Sequence, residues 1–131
     1  RQAESAGAVA EHLNARPKVA WVNYSGLPQR PNHERARKYF RGRPGAVFGI
    51  GLKGGYEAAV TFINNLELWS HLANILDARS LVIHAASTTH QQLSPEERLS
   101  CGVPDDLIRL SVGLEEVGDL IAALDKALEK V

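Results

Sequence analysis

Apolar residues recur along this chain at two spacings, and the switches between them mark out the elements. Val9 and Leu13 stand four apart in an Ala-rich run, so Ala3 to Asn14 reads as a helix, and Pro17 stops it. Val19-Ala20-Trp21-Val22-Asn23-Tyr24 is rich in β-branched and aromatic residues and reads as a strand, followed by a Ser25-Gly26-Leu27-Pro28 turn. A helix is expected over Asn32 to Phe40, with Asn32 as its N-cap. Ala46 to Leu52 is a second strand, closed by Gly54-Gly55, and Tyr56 to Asn64 is a helix with Ala59, Val60 and Ile63 on one side. Leu66 to Ile75 fits either a short strand or a helix. Ser80 to Ile83 is a short strand, and Ser87-Thr88-Thr89-His90 is a polar loop. Ser94-Pro95-Glu96-Glu97 has the order N-cap, proline, acid, acid, so a helix runs from there to Cys101, with Gly102 closing it. Leu107 to Val112 is a strand. The last helix begins near Glu115, with Val117, Leu120, Ile121, Leu124 and Leu128 on one stripe, acids at its start and Lys126 and Lys130 near its end.

Roughly four strands thus alternate with five or six helices, which predicts a two-layer α+β fold within the α/β class. The sheet is expected to be small and mostly antiparallel, with its helices on one face and residues 1–131 forming one domain. The first helical run has no N-cap and no turn before it, so the chain reads as a piece of something longer.

Strand alternation then sorts the faces. In Leu107 to Val112, Ile108, Leu110 and Val112 form an apolar face that must meet the helices, and Leu107, Arg109 and Ser111 face the other way. In Ala46 to Leu52, Ala46, Phe48, Ile50 and Leu52 share one side, and Val47, Gly49 and Gly51 share the other. One side of the sheet is therefore bulky. The other is small, with a single guanidinium at its centre, and suits a covering domain or a ligand better than bulk water. An arginine so placed pairs with a buried acid, faces solvent, or receives an anion, since its planar fork matches a carboxylate bidentately. The pattern alone leaves these three open.

Composition narrows the class. Fifteen basic and fifteen acidic side chains cancel, which argues against a nucleic-acid binder and against a polybasic membrane-surface protein. No apolar run approaches the roughly 20 residues of a membrane helix. Cys101 is the one cysteine, so no internal disulfide can form, and a reducing, cytoplasmic setting is expected. Cys101 itself reads as a packing residue, and Trp21 and Trp69 as core or interface anchors. His84 and His90 lack an evident third ligand, so no metal site is expected.

Three runs carry a family resemblance: Ser80-Leu81-Val82-Ile83-His84, Ser87-Thr88-Thr89-His90, and Leu107-Ile108-Arg109-Leu110-Ser111-Val112-Gly113-Leu114-Glu115. With Tyr24 to Pro28 and Phe48 to Gly55 in order before them, the chain resembles the C-terminal domain of the Cys/Met-metabolism enzymes that use pyridoxal phosphate. Within that family it is most similar to the O-acetylhomoserine sulfhydrylase branch. The resemblance implies the small domain of a fold-type I subunit, with the cofactor and its Schiff-base lysine held by an N-terminal domain outside this chain. Lys18, Lys38, Lys53, Lys126 and Lys130 match no cofactor-lysine motif of the family, so no covalent cofactor and no catalytic residue are expected here. The resemblance assigns Arg109 to the substrate α-carboxylate. It assigns Ser80 to the pocket edge, through its backbone and hydroxyl, with Leu81 as its packing neighbour and Thr89 in the pocket-lining loop. It implies γ-replacement: O-acetyl-L-homoserine loses acetate and sulfide takes its place, giving homocysteine, in a homotetramer when full length. Arg79 before the serine, and the loop from Ser87 to Gln92, favour this branch over cystathionine γ-synthase or γ-lyase. Ala85 stands where the family usually has proline. A stand-alone amino-acid-binding regulatory module is the alternative of a different class.

Overall fold

A computed structural model describes all 131 residues. Five strands form one sheet: β1 (Val19–Asn23), β2 (Val47–Leu52), β3 (Ser70–His71), β4 (Leu81–His84) and β5 (Leu107–Ser111). Their order is β1-β2-β5-β4-β3, antiparallel throughout except for the β3–β4 pair. The helices are α1 (Gln2–Asn14), α2 (His33–Phe40), α3 (Gly55–Asn64), α4 (Pro95–Ser100) and α5 (Val117–Leu128), with a 3-10 turn at Ala85–Ser87.

The fifth strand is a correction to the expected count. It comes from the ambiguous stretch at Leu66 to Ile75, which forms only two strand residues. Periodicity cannot declare so short a segment. The β4 boundary also moves by one residue. Ser80 is drawn out of the strand by Glu115, which takes both its N–H and its hydroxyl.

The layering follows the side-chain pattern. Val22, Phe48, Ile50, Val82, Ile108, Leu110 and Val112 form one sheet face and join a buried cluster with Val9 and Leu13 of α1, Phe62 of α3, and Leu120 and Leu124 of α5. Helices α1, α3 and α5 thus cover one side of the sheet, as expected from alternation. Burying a Leu or Phe in this way contributes about 1.5–3 kcal/mol per side chain.

One further expectation changes. Cys101 is exposed rather than packed. Cys101 is the C-cap of the six-residue α4, and the residue that α4 buries is Arg98, which donates Nε and Nη2 to Asp105 and Nη1 to the Leu93 carbonyl. Trp69 is in the core, whereas Trp21 is half-buried on the opposite side of the sheet.

Candidate functional site

The register places Arg109 between Gly49 of β2 and Ile83 of β4, on the side of the sheet away from the helices. Ser111, opposite Leu81 and Val47, lies on the same side. Leu107 is opposite Gly51, which is opposite Trp21. This face is not as bare as the glycines suggest. The Trp21 indole lies across Gly51, held by Nε1 donating to Asp106 Oδ2 at 2.8 Å, and a Cβ on Gly51 would collide with both. The missing glycine side chain is the slot for that ring.

Around Arg109 the face is half open. Gly49, Leu107 and Arg109 are partly exposed, while Leu81, Ile83 and Ser111 are buried. The guanidinium has no carboxylate within 4.0 Å; Nη2 donates to the Asn74 carbonyl at 3.1 Å. A guanidinium held by one neutral carbonyl keeps its charge uncompensated and its bidentate capacity largely intact. Beside it, Ile83 forms part of an open cleft of about 540 Å³ that is also lined by His71, Leu72, Ser87 and Thr89. Its rim is set by the 3-10 turn, where the Ala85 carbonyl accepts from Thr88 N–H and His90 N–H. Ala85 therefore supports a closed turn without proline.

The structure thus brings Arg109, Leu81 and Thr89 to one side of the sheet. Thr89 is exposed, its Oγ1 2.8 Å from His90 Nδ1. Ser80 lies beneath, fully buried. Its N–H donates to Glu115 Oε1 at 2.7 Å, its hydroxyl donates to Glu115 Oε2 at 2.8 Å, and its Oγ accepts from Gly113 N–H at 2.8 Å. The hydroxyl hydrogen is spent inside the protein, so Ser80 shapes the edge through its placement.

Residues that sequence reasoning missed surround this node. Glu115 was legible only as part of a motif. Asn74 acts through its backbone and carries no side-chain signal. Ser111 could have been found, because alternation puts it beside Arg109; its buried hydroxyl accepts from Leu76 N–H at 3.1 Å. His84 is also buried, with Nε2 on the Asp105 carbonyl, Nδ1 beside Ser87 Oγ and Tyr56 edge-on at 5.0 Å, which makes it a strut between β4 and the loop before β5.

None of the sheet residues facing this side is a lysine. Lys18 Nζ is bound to the Leu128 and Val131 carbonyls at the end of α5, Lys126 to Glu67, and Lys38 sits over the Tyr39 ring. Lys53 and Lys130 are exposed outside the strands. No group of three His, Cys, Asp or Glu side chains is placed to hold a metal ion, and no helix is long and apolar enough to cross a membrane.

Comparison with known proteins gives this geometry a family. O-acetyl-L-homoserine sulfhydrylase 1 of Thermus thermophilus is 59% identical over 128 residues, covering 98% of this chain and 30% of that protein. O-acetyl-L-homoserine sulfhydrylase of Leptospira meyeri is 51% identical, covering 100% of this chain and 30% of that protein. Among solved structures, a putative O-acetylhomoserine (thiol)-lyase from Campylobacter jejuni, which carries a pyridoxyl-lysine monophosphate, superposes with a TM-score of 0.90 at 39% identity over 98% of this chain and 30% of its own. A cystathionine γ-lyase from Micromonospora echinospora superposes at 0.87 with 35% identity, over 98% of this chain and 33% of its own. The chain therefore spans about 30% of the length of the sulfhydrylases it matches. The family model described as Cys/Met metabolism PLP-dependent enzyme matches residues 1–129, and the chain belongs to that family.

Proposed function

We propose that this chain is the C-terminal, carboxylate-binding domain of a pyridoxal-phosphate enzyme that replaces the acetate of O-acetyl-L-homoserine with sulfide to give homocysteine. The observation that carries this reading is the guanidinium of Arg109, uncompensated by any acid and standing on the open side of the sheet. An amino-acid substrate brings an α-carboxylate, and a fixed fork binds it through two parallel N–H donors. Leu81 and Ile83 supply dry wall beside that fork, Thr89 supplies a hydroxyl at the cleft, and Ser80 sets the edge from beneath.

The role of Arg109 is orientation. Fixing one end of the substrate aligns the carbon that loses acetate with groups elsewhere, and such alignment is worth several kcal/mol of barrier. The cofactor, in this reading, belongs to an N-terminal domain of the same polypeptide, and the working form is a cytoplasmic homotetramer; the absence of lysine from the strand positions on the Arg109 face fits this. Names among the relatives include γ-lyases as well as sulfhydrylases, so the acceptor is the point to test.

The experiment compares this chain with the complete polypeptide. The complete enzyme should form homocysteine from O-acetyl-L-homoserine and sulfide, and the 131-residue chain alone should not turn over. Release of ammonia and an oxo-acid instead would move the assignment to a γ-lyase. Tight amino-acid binding by this chain alone in calorimetry, without cofactor, would favour a regulatory module.

A further inference from the structure

The segment from Asn74 to Ser80 lies along the end of β5 and is fastened to it at successive points. Arg109 Nη2 donates to the Asn74 carbonyl at 3.1 Å, Leu76 N–H donates to Ser111 Oγ at 3.1 Å, Leu114 N–H donates to the Ala78 carbonyl at 2.8 Å, and Ser80 closes on Glu115. The Leu76 tie is the unusual one. Leu76 has φ of 55° and its side chain is 63% exposed. A leucine in the left-handed region costs about 1–2 kcal/mol, and an exposed side chain gains almost nothing to offset it. The hydrogen bond from its N–H to a hydroxyl that is only 1% exposed is what the geometry offers to hold it there.

We propose that Ser111 is a positioning residue for Arg109, acting through the Asn74–Leu76 turn; this rests on the reading of Arg109 as the carboxylate receptor. Arg109 and Ser111 share a face because they are two apart on one strand. Ser111 grips the turn at Leu76, and the turn presents the Asn74 carbonyl two residues earlier to the guanidinium. A free arginine side chain carries about 2 kcal/mol of rotamer entropy. One hydrogen bond from Nη2 stops the fork sweeping across the open face. It spends only one of the two Nη2 hydrogens, so one of the two parallel N–H pairs stays whole for a carboxylate. The same segment is held independently at Ala78 and Ser80, so loss of the Ser111 hydroxyl frees the turn near Arg109 while the rest stays fastened.

The test is a double-mutant cycle in the complete enzyme with Ser111→Ala, Arg109→Ala and both together, read as kcat/KM for O-acetyl-L-homoserine, alongside hydrogen exchange of the peptides covering residues 72–79 and 107–112. Ser111→Ala should raise KM about 3- to 10-fold with a smaller effect on kcat, and should add nothing when Arg109 is already alanine. Exchange should speed up in the 72–79 peptide and stay unchanged in the 107–112 peptide. Equal losses from Ser111→Ala in both backgrounds would overturn the inference, as would unchanged exchange at 72–79, or faster exchange there with KM intact. If Arg109→Ala alone leaves KM unchanged, the carboxylate reading itself fails and takes the inference with it. If Arg109→Ala raises KM and the cycle is additive, only the role of Ser111 fails.

Discussion

Arg109 meets the backbone carbonyl of Asn74 at 3.1 Å and no carboxylate at all. In α4 of the same molecule, Arg98 is by contrast neutralised by Asp105 at 2.7 Å. The proposed role of Arg109 as carboxylate receptor predicts a specific defect. Arg109→Lys in the complete enzyme should raise KM for the amino-acid substrate roughly 10- to 100-fold, because a point charge cannot reproduce the fork. Steady-state kinetics with substrate varied across the new KM would check this, and an unchanged KM would refute the assignment.

Glu115 receives both the N–H and the hydroxyl of Ser80. Glu115→Ala leaves a buried amide without its partner and should destabilise the protein by about 1–3 kcal/mol. A shift of the urea midpoint to lower concentration at unchanged slope is the expected result. Gly113→Ala should act in the same direction, since a Cβ there would run into the Glu115 carboxylate and the Ala78 carbonyl.

Leu76→Gly is expected to stabilise the fold. The φ of 55° suits glycine, the side chain is mostly in solvent, and the N–H to Ser111 is retained. Relief of left-handed strain, less the entropy that glycine loses on folding, leaves a gain of about 0.5–1 kcal/mol. Thermal unfolding should move up by a few degrees, and a lower Tm would mean that Leu76 makes a contact outweighing its strain.

Tyr24 sets an alkaline limit. Burial pushes its phenol up from the ordinary value near 10, and the charge of Glu11 adds to the rise. Its hydroxyl donates to the Gly45 carbonyl at 3.2 Å. In the unfolded chain the phenol ionises first, so stability is complete below pH 10 and falls as pH rises from there through the higher folded-state value. Denaturation midpoints measured from pH 8 to 11 should decline at the top of that range, and Tyr24→Phe should remove part of the decline. An equal decline in the variant would shift the cause to other groups.

Much of the fold was legible because it rests on alternation and on i, i+3, i+4 spacing. Ile108, Leu110 and Val112 announced the helix-covered face, and Leu120, Leu124 and Leu128 the packed stripe of α5. Ser70–His71 escaped because two residues carry no period, and they are strand only by their pairing with Leu81 and Val82 of β4. Arg109 stood out as a charge in an apolar strand. The cover of Gly51 by Trp21 did not, because cross-strand partners are set by register and not by neighbours in sequence. Asn74 was invisible for a different reason: its part is taken by a carbonyl that every residue has.

Arg109 is proposed to read the carboxylate of the substrate. The direct measurement compares kcat/KM for O-acetyl-L-homoserine with that for 3-aminopropyl acetate, the same molecule without its carboxylate, in the wild-type enzyme and in Arg109→Lys. The wild type should favour the carboxylate-bearing substrate by a wide margin, and the variant should lose most of that preference through the acid alone. An unchanged preference in the variant would contradict the claim.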